Sequence, residues 1–203
     1  GIANVTFINH FNNIKDSLFA SDIGPGNCLI DKWIRKKSKK KYDKNGLMAK
    51  SGNVNKEILD KAISKWVSGL ESNVRRPISH DVGDYDYSFA DELSLEDGAA
   101  TITAYSSEIY SHYVNNIIKE YSYPKLIIVC GGGRKNDFLM NSFKNKIHCP
   151  LVKIDDFNID GDFIESQAFA YLAIRSYLKL PISFPETTGC RKACTGGDIV
   201  KNY

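Results

Sequence analysis

Apolar and polar positions along this chain follow two rhythms, one with the period of a strand and one with that of a helix. Val5-Thr6-Phe7-Ile8 is a β-branched and aromatic run, which predicts a strand. Asn12-Asn13 reads as a turn, and a second strand is predicted from Ser17 to Ala20, ending in the bend Ser21-Asp22-Ile23-Gly24-Pro25-Gly26-Asn27. Cys28, Leu29, Ile30, Trp33 and Ile34 then recur at helical spacing. Between Val54 and Leu70 the apolar residues Ile58, Leu59, Ala62, Ile63, Trp66 and Val67 mark an amphipathic helix, broken by Arg75-Arg76-Pro77. Ser79 to Tyr87 is an acidic, aromatic loop. Leu95 to Tyr121 predicts a long helix that buries Ala99, Ile102, Ala104, Ile109, Tyr113, Ile117 and Ile118. Pro124 ends the connection to Leu126-Ile127-Ile128-Val129, a continuous apolar run expected of a parallel strand covered on both faces. Gly131-Gly132-Gly133 leads into a helix over Asn136 to Lys146, and Leu151 to Ile154 is a further strand. The last helix, Asp162 to Leu178, is expected to turn Phe163, Ala168, Phe169, Leu172 and Ala173 inward, ahead of a coil-like tail with Pro181 and Pro185.

Two strands, then helices, then a strand-loop-helix-strand-helix order describe an α/β domain. Residues 1–203 are expected to form a single domain, with 35–86 as an elaboration on its core. Composition narrows the class: 42% hydrophobic and 25% charged residues in a chain of 203 match a globular protein with a sizeable core. No stretch approaches the roughly 18 apolar residues of a membrane span, so no membrane partner is expected. The first residues lack the basic flank and apolar block of a signal peptide. The chain opens without methionine on a strand-like run, so a cut upstream is expected. Five scattered cysteines argue against a disulfide framework and for a reducing cytoplasm. Cys190 and Cys194 form a C-x-x-x-C pair without further ligands nearby, and His10, His80, His112 and His148 form no cluster with them, so they read as small tail residues rather than a zinc site. Six of the seven residues from Arg35 to Lys41 are basic, but they carry no interleaved aromatics and the net charge is only +3. The run is therefore expected to be a solvated loop rather than a nucleic-acid interface.

Candidate chemistry lies in three glycine-bearing turns. Gly1-Ile2-Ala3-Asn4 could present backbone N–H groups to an anion, or be a plain hairpin end. In Asp22-Ile23-Gly24-Pro25-Gly26-Asn27 the glycines permit a positive φ and a close ligand approach, and the following helix aims its N-terminus at whatever binds there. Asp22 could hold a magnesium-bound water. The competing reading is a tight strand-to-helix turn with Asn27 as the N-cap. In Val129-Cys130-Gly131-Gly132-Gly133-Arg134-Lys135-Asn136 a strand runs into three glycines and a helix, where open parallel sheets receive nucleotides. It matches neither a dinucleotide fingerprint nor a P-loop, and close helix–strand packing is the alternative. Asp162 suits the dipole at the start of the last helix, while Glu165, nearly one turn on, could face a ligand's hydroxyls.

Taken in order, these motifs resemble the anhydro-N-acetylmuramic acid kinase family of the actin/hexokinase-like ATPases. The matching stretches are Gly1 to Thr6, Asp22 to Asp31, Tyr42-Asp43-Lys44-Asn45-Gly46 with Ala49 and Gly52, Cys130 to Gly133 with Asn136, Asp162 to Ala170, and Pro185-Glu186-Thr187-Thr188-Gly189. The resemblance implies a ribonuclease H-like (actin-like ATPase) fold, a mixed sheet flanked by helices, forming the second lobe of a two-lobe sugar kinase. It implies ATP and Mg as cofactors. Gly1, Ala3, Asn4, Gly24, Gly26 and Asn27 would meet the ATP phosphates, Gly131, Gly132, Gly133 and Asn136 the adenosine, Glu165 the sugar, and Asp22 the Mg through water. The implied reaction opens the 1,6-anhydro ring hydrolytically and phosphorylates the 6-oxygen, in cell-wall recycling in the cytoplasm. The family's aspartate general base belongs upstream of Gly1, so the chain by itself is expected to be inactive and to need a separate N-terminal lobe. Self-association as a homodimer stays open, as does a non-catalytic nucleotide-binding remnant of a split gene. Two departures stand out: Ile23 replaces the usual threonine of the bend, and Arg76 to Gly83 has drifted from a P-K-S-T-G-like loop.

Overall fold

The computed structural model describes residues 1–8, 18–69, 79–121 and 125–200. The Asn12-Asn13 turn, the Arg75-Arg76-Pro77 break, His10 and Pro124 lie outside the described residues. Strand β1 (Ala3–Ile8) pairs antiparallel with β2 (Leu18–Gly24). The second strand thus runs four residues past the expected Ala20, because β1 supplies backbone partners as far as Gly24. A register shift between Ala3 and Asn4 skips Ile23 before the last pair, Ala3 with Gly24. Helix α1 (Cys28–Lys37) follows directly, with Cys28, Leu29, Ile30, Trp33 and Ile34 buried, as their spacing requires.

The basic run is exposed but is not all loop. Arg35, Lys36 and Lys37 form the last turn of α1, where cations oppose the negative end of the helix dipole. Lys36 Nζ lies 2.7 Å from Asp91 Oδ1, and Lys37 Nζ donates to the Asp91 carbonyl at 2.8 Å over the Trp33 ring. The Tyr42-to-Gly46 turn is a 3₁₀ turn over Lys44–Gly46 that leads into a short helix with no counterpart in the sequence reading, α2 (Leu47–Ser51). Its start is held by Asp43, whose two carboxylate oxygens accept the Met48 and Ala49 amides at 2.8 and 3.0 Å. Helix α3 (Lys56–Ser68) is capped by Asn55, which accepts the Ile58 amide.

The core forms around α4 (Leu95–Tyr121), which packs against α1, α2, α3 and β2. All seven residues expected on its inner face are buried. Trp33, fully buried, donates its indole N–H to the Leu95 carbonyl at 2.9 Å. Strand β3 (Ile127–Val129) and β4 (Leu151–Lys153) form a parallel pair, joined by a 3₁₀ turn over Gly132–Lys135 and helix α5 (Asp137–Lys144), which packs on α4. Helix α6 (Ile164–Tyr177) and the short α7 (Pro185–Thr188), which returns to pack on β2, complete the chain.

The architecture is mixed α/β, but three expectations fail. The strands form two separate two-stranded sheets rather than one mixed sheet, because among the described residues no strand bridges β1–β2 to β3–β4. Strand β3 is not covered on both faces: Leu126 is 40% and Ile128 47% exposed. Helix α6 buries none of its residues, and Phe163 and Phe169 stand 57% and 64% exposed rather than inward. Two of its side chains reach carbonyls of the following tail, Arg175 at Pro181 and Ser176 at Gly196, and Arg175 also donates to the Tyr171 hydroxyl of the same helix at 3.2 Å.

Candidate functional site

The hairpin brings the expected phosphate set together. Ala3 pairs with Gly24 and Asn4 with Asp22, so the first residues of β1 lie against the β2–α1 bend. Both bend glycines have positive φ, +152° at Gly24 and +55° at Gly26. The space that a Cβ would fill there holds protein. At Gly24 it would come within 2.7 Å of the Tyr110 ring, and at Gly26 it would overlap the Gly1 carbonyl oxygen. These glycines therefore let the N-terminal residues and α4 close on the bend, and any ligand would meet its backbone rather than a vacant side-chain position. Asn27 stands at the N-cap position of α1 but makes no side-chain cap, and its buried Oδ1 has no hydrogen-bond partner.

A cleft of about 310 Å³ opens beside this bend. Asn4 and Thr6 of β1, Ser21 and Asp22 of β2, Ser79, and Thr187 and Thr188 of α7 supply its polar lining. No lysine, arginine or histidine lines it among the described residues. Hydroxyls with one carboxylate suit a polyhydroxylated ligand or a hydrated divalent cation better than a bare phosphate. Asp22 is half-buried and its Oδ2 accepts the His80 amide at 2.8 Å, which orients the carboxylate across the cleft wall. Its oxygens fit Mg, which keeps most of its waters and takes few protein ligands. Thr6 follows from strand alternation, since it shares a face with Asn4. Ser79 carries no local signal, and Thr187 and Thr188 stand in the Pro185–Gly189 stretch of the resemblance without an assigned role; they arrive from distant segments, and both threonines donate to the Phe184 carbonyl of their own turn.

The glycine-rich turn lies at the carboxyl end of β3, on the other sheet from the β2–α1 bend, so among the described residues no common sheet joins the two candidate regions. Here a Cβ at Gly131, Gly132 or Gly133 would meet nothing within 4 Å, and Gly131 takes φ +72°. This is open backbone of the kind a flat ring can lie against. Asn136 is 3% exposed and its Oδ1 accepts the Leu139 amide at 3.0 Å. The fold gives that oxygen to the cap of α5, beneath the turn.

Arg134, unread in the sequence, is 3% exposed and makes two hydrogen bonds to Asp155 at 2.6 and 2.9 Å. Its Nη1 also donates to Asp162 at 2.7 Å and to the Gly131 carbonyl at 2.9 Å. Asp162 lies ahead of α6, which starts at Ile164, and it pairs with Arg134 and Lys135 rather than serving the helix dipole. The Arg134 guanidinium holds the Asp155 carboxyl well below the usual range, and Lys135 with Arg134 lowers that of Asp162. Glu165 is exposed in the first turn of α6.

Comparison with known proteins gives this arrangement a context. A profile of the family described as anhydro-N-acetylmuramic acid kinase matches residues 1–202. The chain is 46% identical, over its whole length, to the anhydro-N-acetylmuramic acid kinase of Pelagibacter ubique, covering 54% of that protein. Identity is 40% to the Zymomonas mobilis protein of the same name and 35% to that of Caulobacter vibrioides, over 98% of this chain and 52% and 51% of theirs. The chain spans about half the length of the curated relatives it matches. It belongs to the anhydro-N-acetylmuramic acid kinase family.

Proposed function

We propose that this chain is the C-terminal, nucleotide-gripping lobe of a kinase that uses ATP and Mg to open 1,6-anhydro-N-acetylmuramic acid and phosphorylate its 6-oxygen. The finer fold assignment, a ribonuclease H-like lobe with 35–86 as an elaboration, belongs to the same proposal. The observation that carries it is the Gly131–Gly133 turn: three consecutive glycines with open space over each, at the carboxyl end of a parallel strand. Adenosine lies against this turn. Backbone of Gly1, Ala3, Asn4, Gly24, Gly26 and Asn27 faces the phosphates, Asp22 holds a water of the Mg ion, and Glu165 faces the sugar. The Asp22 carboxylate in the lining of the hairpin cleft supports the Mg assignment, since Mg keeps most of its waters and needs only one or two carboxylates.

Phosphoryl transfer rests on positioning and electrostatics from both sides of the substrate. Half a cleft therefore binds without turning over, and catalysis is expected only when the remaining half is supplied. Calorimetric titration of MgATP into the chain and into Gly132→Asp tests the first step. Binding to the former and at least tenfold weaker binding to the latter is the expected result; equal affinities refute the assignment of the turn. The second step mixes the chain with the N-terminal half of the Pelagibacter ubique relative and follows ADP release that depends on the anhydro-sugar. No release from a mixture shown to associate refutes the kinase reading.

A further inference from the structure

We infer that Arg134 is the positioning residue of the nucleotide turn: its buried guanidinium holds the Gly131–Gly133 backbone in the shape that receives adenosine. The inference rests on the adenosine assignment above and adds to it the device that makes the turn usable. Three glycines in succession lose more conformational freedom on ordering than any other triplet, and here no side chain packs over them to compensate. The order must come from beneath. Gly133 is held through its carbonyl, which accepts the Asn136 N–H at 3.0 Å, and Gly131 is held on both sides. Its N–H donates to the Gly161 carbonyl at 3.2 Å, and its own carbonyl accepts from Arg134 twice, from the backbone N–H at 3.3 Å and from Nη1 at 2.9 Å.

The guanidinium is itself fixed from two further directions. Asp155 follows β4 and takes Nε and Nη2 as a fork, and Asp162 precedes α6 and takes Nη1. One planar cation thereby ties the end of β3, the end of β4 and the start of α6 to a single point under the turn. Gly161 lacks a side chain where a Cβ would overlap the Arg134 guanidinium, so the loop can close over it. Lysine cannot reproduce this, because a point charge has no fork. Arg134 acts through the glycine backbone and does not touch the nucleotide.

The experiment compares the chain with Arg134→Gln and Arg134→Lys, using MgATP and inorganic tripolyphosphate with Mg as separate probes, and amide hydrogen exchange over 131–133. Arg134→Gln is expected to weaken ATP at least tenfold and to speed exchange of the three glycine amides. Tripolyphosphate, which has no base to seat, should change less than twofold. Arg134→Lys should recover little of the loss. Asp155 and Asp162 are each more than 40% exposed, so water can take over their hydration in the variant. If Arg134→Gln nevertheless fails to fold, Asp162→Asn carries the test, with an expected loss of about threefold for ATP alone. Unchanged ATP affinity in Arg134→Gln overturns this inference and leaves the adenosine assignment standing. Equal losses for both probes also overturn it, since they mark a general structural role. Failure of the unaltered chain to bind ATP overturns the assignment and this inference together.

Discussion

Gly98, in the first turns of α4, provides a test of the packing at the centre of the molecule. Glycine inside a helix ordinarily costs about 0.5–1 kcal/mol relative to alanine, so Gly98→Ala on a free helix is stabilising. Here the added Cβ would overlap the Trp33 indole, which is fully buried and hydrogen-bonded to Leu95 one turn away. Overpacking a filled core costs about 1–3 kcal/mol. Displacing the indole also strains or breaks its hydrogen bond, at about 1 kcal/mol. Against the propensity gain of about 1 kcal/mol, the net is a loss of about 1–3 kcal/mol. With a urea slope of about 2 kcal/mol per molar, the unfolding midpoint should fall by about 0.5–1.5 M. The sign should reverse when the obstacle goes: in a Trp33→Leu background, Gly98→Ala should raise the midpoint. A stabilising single substitution, or the same loss in both backgrounds, would refute the packing argument.

Three other outcomes are expected. Asp43→Asn should cost about 1 kcal/mol and Asp43→Ala about 2 kcal/mol or more in urea unfolding, because the alanine leaves both the Met48 and the Ala49 amides without their acceptor. Burial raises the Tyr85, Tyr105, Tyr110 and Tyr113 hydroxyls, with Tyr105 pushed up to about 12. Since the folded values exceed the unfolded value of about 10, their contribution to stability is whole below pH of about 10 and is lost as pH rises above it. Tyrosinate absorbance from this group should therefore appear together with loss of circular dichroism, and ordinary ionisation of all tyrosines in a native chain would contradict it. Phe169→Glu should change stability by less than about 0.5 kcal/mol, since the side chain is 64% exposed; a large drop in Tm would show that α6 is covered in solution.

What the chain reveals without coordinates is what depends on near neighbours. Helix α4 and its buried face can be read residue by residue, because helical period is a local property and 27 residues repeat it many times. The same holds for the strand of β1 and for the turn-then-helix at Cys28, though not for the end of β2, which only the pairing with β1 sets. The periodicity of α6 says which residues share a face but not whether any element arrives to cover it, and so Phe163 and Phe169 were expected inside. The candidate site is legible to a similar depth. Its glycine turns are visible as composition, whereas the tertiary fold alone brings Thr187 and Thr188 to Asn4 and Asp22, and Asp155 and Asp162 to Arg134. Partners 21 and 28 residues apart leave no mark in a local pattern, because a charge carries no record of the charge it will meet.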